Sequence, residues 1–435
     1  MRNPATFFHV LCAVLGIAAS PTLAQPDEWE TDTTLCRDLT LEPPLRVEAC
    51  ARALKAANLP VAVQVSLLSQ RAMALDELGD YKRAVQDYDA AIVLMPSDPG
   101  LYLNRGVAKI RGGSPAAAIP DYDEAIRLKP DWHLPYFDRA VALSALGQRA
   151  AALADYQRAI DRKPDDAWIY VGQGDVHAAG GDDAAALAAY DKALALRPDL
   201  EQAHMRRAKA LLRLKQPQEA VAEMDRALAA LDLKQGGGKV AWLQIRAAAK
   251  FALTDFAGAI ADLAQAREAA PQDTGLLRDL ARAYLAAGDV KAADAMAKQA
   301  VEIAGNDAAN LLAAGRAVLA DGRSVDAEVL ARQAMALRPG DAQAQALLAL
   351  SLPAGAEATK AAQAAADFAP QDGELQAVAA FLGATRTAVL EHPAATPAEK
   401  RLAACVAGLR AGNAAAAAAA GAGWSLCHLA AAREP

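Results

Sequence analysis

Small side chains recur along this chain every 34 residues, and larger apolar ones keep station between them. Proline marks the interval first: Pro96, Pro130, Pro164 and Pro198 are each 34 residues apart. With that proline at position 32 of a unit, repeats begin at 65, 99, 133, 167 and 201, and then, after five extra residues, at 240, 274 and 308. Position 8 is Ala72, Gly106, Ala140, Gly174, Ala208, Ala247, Ala281 and Gly315. Position 20 is Ala in all eight units, from Ala84 to Ala327, and position 27 is Ala in all eight, from Ala91 to Ala334. Side chains this small let helix axes approach closely, so the frame predicts two helices per unit that touch through positions 8 and 20. Position 27 then meets the following unit, and Leu68, Tyr102, Tyr136 and Tyr170 at position 4 fill the layer between helices. Glycine at position 15 (Gly79, Gly113, Gly147, Gly181, Gly288, Gly322) is expected to end the first helix, because it accepts positive φ without strain.

A period of 34 with these residues resembles the tetratricopeptide repeat family closely, most strongly over 65–341. The resemblance implies an all-α, right-handed α-solenoid of about eight to nine helix-turn-helix units with helical caps. It departs at position 7, where the family usually carries Leu and five units here carry Arg. The expected organisation is a leader over 1–24, an N-terminal cap over 25–64 with a helix from Cys36 to Asn58, and five repeats over 65–234. A Gly-rich insertion follows at 235–239, then three repeats and a degenerate one over 240–372, and a C-terminal cap over 373–435. End pieces are expected because an open stack must cover its last apolar faces.

The leader reading rests on Arg2, the short apolar stretch Phe7 to Ala19, and the small residues of Thr22-Leu23-Ala24. That stretch is shorter than the roughly 20 apolar residues a membrane span needs, so a cleaved secretory signal is expected over an uncleaved anchor. Export, most simply to a bacterial periplasm, fits the cysteines. Apart from Cys12 there are four, near the two ends: Cys36 with Cys50, and Cys405 with Cys427. Two local disulfides are the expected pairing, with four buried free thiols as the alternative. Composition agrees with Ala-rich helices, at 54% apolar but only 5% aromatic residues. The net charge is −7, and −8 once Arg2 leaves with the leader, which disfavours nucleic acid as a partner.

Position 7 carries a second pattern. Arg71, Arg105, Arg139, Arg207 and Arg246 stand there, and the same five units have Asp87, Asp121, Asp155, Glu223 and Asp262 at position 23. Where Arg is absent (Gln173, Leu280, Ala314), so is the acid (Ala189, Met296, Leu330). Five structural ion pairs within repeats are expected, in preference to a charge ladder that binds ligand. For ligand the reading turns to the first helices, which line the groove in the family resembled. On that face, positions 2, 5, 9 and 12 supply Leu103, Val107, Phe137, Val141 and Trp168 early, and Lys209, Arg278, Arg282 and Arg316 late, with Arg213 beside them. An apolar half and a basic half would suit an extended or amphipathic segment with acidic residues at one end; an ordinary solvated face is the alternative. The carboxylate clamp known in some members is not expected: Asn104 fits it, but Ser69 and Met73 stand where Lys and Asn would be needed.

No catalytic chemistry is expected. H-E-x-x-H, G-x-S-x-G and P-loop patterns are missing, no Cys or His stands at metal-ligand spacing, and no cofactor is implied. His177 and His204 fall at packing positions, and the repeated Asp87-Tyr88-Asp89 and Asp121-Tyr122-Asp123 triplets recur as scaffold does. The expected function is a non-catalytic scaffold of the bacterial envelope binding a protein segment. The alternative is a binder of anionic glycan through the basic positions.

Overall fold

The structure is a computed structural model that describes residues 28–231, 239–353 and 355–369. The leader, residues 232–238 of the insertion region, Cys405, Cys427 and the C-terminal cap lie outside the described residues. Among those described there are twenty helices and no strand. The chain divides into two compact units, Met1–Val176 and His177–Pro435.

In the first unit, α1 (Glu28–Arg37) and α2 (Pro43–Ala53) precede the helical pairs α3 (Val61–Glu77) and α4 (Tyr81–Leu94), α5 (Pro99–Arg111) and α6 (Pro115–Leu128), and α7 (His133–Ala145) and α8 (Arg149–Arg162). Helix α9 (Ala167–Ala179) runs across the division, and α10 (Asp183–Leu196) opens the second unit. That unit continues with α11 (Glu201–Arg213) and α12 (Pro217–Leu231), α13 (Lys239–Ala252) and α14 (Phe256–Ala269), and α15 (Thr274–Ala286) and α16 (Val290–Ile303). It ends with α17 (Ala308–Ala320) and α18 (Ser324–Leu337), then α19 (Ala342–Ser351) and α20 (Ala356–Phe368). Each unit is thus a stack of helical hairpins of the α-solenoid class. The stretch before the repeats holds two helices where one was expected from Cys36 to Asn58, because the α1 end is followed by Pro43 and Pro44, which start a new helix. Cys36 and Cys50 join these two helices at disulfide geometry, with Cα atoms 4.7 Å apart.

The periodic residues account for this architecture. All eight alanines at position 20 are 0% exposed, so the hairpins close through them. At position 27 the eight alanines are buried too. At Gly106 a Cβ would stand 2.6 Å from the Tyr122 ring, and at Gly315 one would stand 2.4 Å from Leu347, which is why position 8 admits only the smallest side chains. First helices end alike in all eight repeats. The residue at position 15 takes positive φ and the next N–H bonds back five residues, as Asp80 N–H does to Leu75 C=O at 2.9 Å. Lys215 and Thr254 adopt that left-handed turn without being glycine, at φ 60° and 61°. Many helices open on an Asp whose carboxylate accepts an N–H of the first turn, including Asp80, Asp98, Asp182, Asp255 and Asp273.

Candidate functional site

Position 7 lies on the first helix of each hairpin with its side chain directed at the second. Arg71 grips Asp87 with two hydrogen bonds, of 2.7 and 2.6 Å. Arg139 does the same to Asp155 at 2.6 and 2.8 Å, and Arg246 to Asp262 at 2.9 and 2.6 Å. Arg105 lies 2.6 Å from Asp121, and Arg207 lies 2.6 Å from Glu223. All five acids are buried, so each needs a cation held at close range. Four of the arginines also reach backwards to an acid at position 25 of the preceding repeat: Arg105 to Asp89 at 2.6 Å, Arg139 to Asp123 at 2.5 Å, Arg207 to Asp191 at 2.6 Å and Arg246 to Asp225 at 2.7 Å. These outer acids are about half exposed. All five arginines therefore tie their own hairpins together, and these four also fasten theirs to the one before.

The third member escaped the sequence reading although its signal was present. Where position 7 is not Arg, the preceding position 25 is Gln157, Ala264 or Lys298. At Ala314 the missing arginine leaves a cavity of about 380 Å³ between α16, α17 and α18, lined by Lys298, Val318, Val329 and Leu330 among others. Of the charges on its rim, Lys298 pairs with Asp294 and Arg323 with Asp326, each at 2.5 Å.

Position 4 shows how one histidine replaces tyrosine. The hydroxyls of Tyr102, Tyr136 and Tyr170 donate to the carbonyls of Pro96, Pro130 and Pro164, each at 3.1 Å. In the fifth repeat His204 Nε2 takes that role toward the Pro198 carbonyl at 2.9 Å, while Nδ1 meets Glu223 at 2.5 Å. Both contacts call for N–H donors, and the Glu223 hydrogen bond raises the imidazole pKa against the opposing effect of burial.

The candidate ligand residues divide between the two units. In the first, Leu103 is a correction: it is 7% exposed and packed with Tyr122 and Ala142, so a neighbouring helix covers the face on which it stands. Val107 lines a recess of about 250 Å³ with Met73, Asn104 and Arg111, floored by Tyr88. Phe137 sits edge-on to Tyr156 at 5.8 Å, Val141 is partly buried beside it, and Trp168 is exposed. In the second unit the positive charges are largely answered. Arg213 pairs with Asp183 at 2.6 Å, and Arg278 bonds to Asn310 at 2.6 Å with Asp307 at 3.4 Å. Arg282 lies over the Phe251 ring at 4.8 Å with Asp279 at 3.5 Å, Arg316 bonds to Gln343 at 2.5 Å, and Lys209 is exposed. Three of these five cations, Arg213, Arg278 and Arg282, thus already have an acid beside them. Among the described residues no group of acids, cysteines and histidines could hold a metal ion, and no helix is long and apolar enough to cross a membrane.

Two family models described as tetratricopeptide repeat match the chain, one at residues 69–131 and 137–201 and the other at 250–315. The chain carries tetratricopeptide repeats over these residues. Such repeats mark protein–protein interaction scaffolds, which are typically non-catalytic. Solved structures that resemble the chain include a thermophilic tetratricopeptide-repeat protein of Thermus thermophilus, at 22% identity over 42% of this chain and 99% of that one, with a TM-score of 0.36. MamA, at 22% identity over 39% and 93%, has a TM-score of 0.35. A tetratricopeptide repeat protein from Parabacteroides merdae, at 17% identity over 67% and 99%, has a TM-score of 0.41. No curated protein matches.

Proposed function

We propose that this repeat protein is an exported scaffold whose first unit takes up an extended or amphipathic segment of a partner protein against α3, α5, α7 and the start of α9. The observation that carries the reading is the run of accessible apolar side chains there, Val107, Phe137, Val141 and Trp168, beside a recess already open at Asn104. Apolar groups at helical spacing on neighbouring first helices suit a segment whose own apolar residues recur at a matching interval. Export to the bacterial periplasm is part of the proposal: the leader pattern supports it, and so does the Cys36–Cys50 geometry, since disulfides persist in oxidising compartments.

Photo-crosslinking tests the surface. A benzoylphenylalanine at Val107 or Val141 should give a discrete adduct in envelope extract, whereas one at Val93, exposed on α4, should not. Adducts from Val93 alone would overturn the assignment. The second reading, an anionic glycan held on Lys209, Arg278, Arg282 and Arg316, is weakened at Arg278 and Arg282, where Asp307 and Asp279 already stand. A glycan so held should dissociate steeply as salt rises through the physiological range, whereas an apolar segment should not.

A further inference from the structure

Asp138 is unlike the other half-buried and buried carboxylates of the first unit. Asp87, Asp121 and Asp155 each have an arginine, and Asp76 has Arg111. Asp138 makes no ion pair or hydrogen bond among the described residues, and the Tyr122 hydroxyl near it, fully buried, has no partner either. Its place follows from the repeat. Asn104, 34 residues earlier, lines the recess with Met73, Val107 and Arg111 over Tyr88. One period on, Asp138 takes the place of Asn104, Val107 that of Met73, Val141 that of Val107, and Tyr122 that of Tyr88. The carboxyl also lies close enough to Tyr122 and Tyr156 for its charge to disfavour ionisation of both phenols. On the far side Gly172 lets α9 pack closely against the end of the Tyr156 ring, since a Cβ there would stand 2.6 Å from its hydroxyl.

Given the groove reading above, on which this rests, we propose that Asp138 receives a cationic side chain, Lys or Arg, from the partner segment. The tyrosine hydroxyls of 122 and 156 flank the pair and the apolar side chains of Val107, Phe137 and Val141 seat the rest of the segment. Charge complementarity argues for this occupant. An isolated carboxyl walled by apolar groups is poorly solvated when ionised, and a cation brought to it by a ligand is worth more there than on an open surface. Nearby cations of the chain are committed elsewhere: on α5, Lys109 lies 2.7 Å from Asp121 and Arg111 pairs with Asp76. Its charge acts on Tyr122 of α6 and Tyr156 of α8, and Asp175 of α9 also acts on Tyr156; none of these is a cation. Burial pushes the Asp138 carboxyl up to about 7, so a cationic ligand must also favour its ionised form.

The test selects a random peptide library of about 12 residues on the purified chain, then measures chosen peptides by fluorescence anisotropy against wild type, Asp138→Asn and Val141→Asp. Lys or Arg should be enriched at one peptide position. Its replacement by norleucine should weaken binding about 10-fold or more to wild type but less than about 2-fold to Asp138→Asn. Wild-type affinity should rise by about 10-fold from pH 6 to pH 8, as the ionised fraction of a carboxyl near 7 does, and the rise should vanish in Asp138→Asn. Peptides without basic preference that lose binding in Val141→Asp would overturn the role of Asp138 and leave the groove standing. Failure to select any peptide, or binding indifferent to Val141→Asp, would overturn both. Asp138→Leu, which removes both the charge and the polarity, should behave as Asp138→Asn does; tight binding of the basic peptide to it would also overturn the assignment.

Discussion

Removing the guanidinium of Arg105 tests whether the arginine ladder holds the stack together. Arg105 bonds to Asp121, which is 3% exposed, and to Asp89, whose side chain is 54% exposed. Losing one partner of a fully buried pair costs about 3–5 kcal/mol, because a desolvated charge is left behind. Asp121 would keep Lys109 at 2.7 Å, so Arg105→Met should fall below that range, at about 2–3 kcal/mol. Asp89→Asn removes only the half-exposed contact and should cost less than about 1 kcal/mol. The double variant Arg105→Met/Asp121→Leu replaces the pair by apolar groups of similar volume and should recover most of the loss.

In a repeat array a single unfolding free energy is poorly defined, so the readout should be local. Native-state hydrogen exchange of α5 and α6 amides should lose protection by about 30- to 150-fold in Arg105→Met, the equivalent of 2–3 kcal/mol, with α1 and α2 little changed. Urea titration of the whole chain would accompany it. Protection unchanged in Arg105→Met, or a loss in Asp89→Asn as large, would refute the argument that the buried acid at position 23 sets the magnitude. A double variant worse than the single would refute it as well.

Other outcomes follow from single residues. Asp138 has a folded pKa above its ordinary value, so its contribution favours the fold below about pH 4 and is lost as pH rises through about 7; Asp138→Asn should melt higher than wild type at pH 8 and match it near pH 4. Thr254 holds φ 61° where six other repeats use glycine, so Thr254→Gly should stabilise by about 1 kcal/mol in thermal melts, and a loss would mean the side chain compensates for its backbone. His204 has its pKa raised by Glu223, so its added stability is present below the unfolded value near 6.5 and is lost as pH rises through the higher folded value. His204→Phe should therefore lose more at pH 6 than at pH 9 in melts read by circular dichroism, and equal losses would contradict a charged imidazole.

Features that the chain repeats were legible, because every repeat must satisfy the same contact. Ala84, Ala118 and Ala152 announce a helix crossing that only small residues allow, and all three are fully buried. The arginine ladder was half legible. Own-repeat pairs could be read from positions 7 and 23, but the backward contact to position 25 required pairing residues of different repeats. Asp87-Tyr88-Asp89 looks like one motif; its first acid serves Arg71 and its second serves Arg105 of the next hairpin. Leu103 was misplaced because helical spacing assigns residues to a face without saying whether a neighbouring helix covers that face. Its cover is Ala142, one repeat away.

Asp138 was passed over for the opposite reason. Position 6 reads Gln70, Asn104, Asp138, Gly172, Arg206, Ile245, Asp279 and Ala313, with no shared size or charge. A search for period discards such a column, since the stacking of hairpins asks nothing of it. That freedom is what a recognition position needs: residues held constant at 8, 20 and 27 place the varied ones at regular spacing along neighbouring first helices. Within the same column Asp279 is also pushed up by burial, yet Arg282 and Arg278 oppose the shift, whereas no charge acts on Asp138. The two carboxyls differ in their neighbours, not in their place in the repeat, and the neighbours make Asp138 the one still lacking a cation.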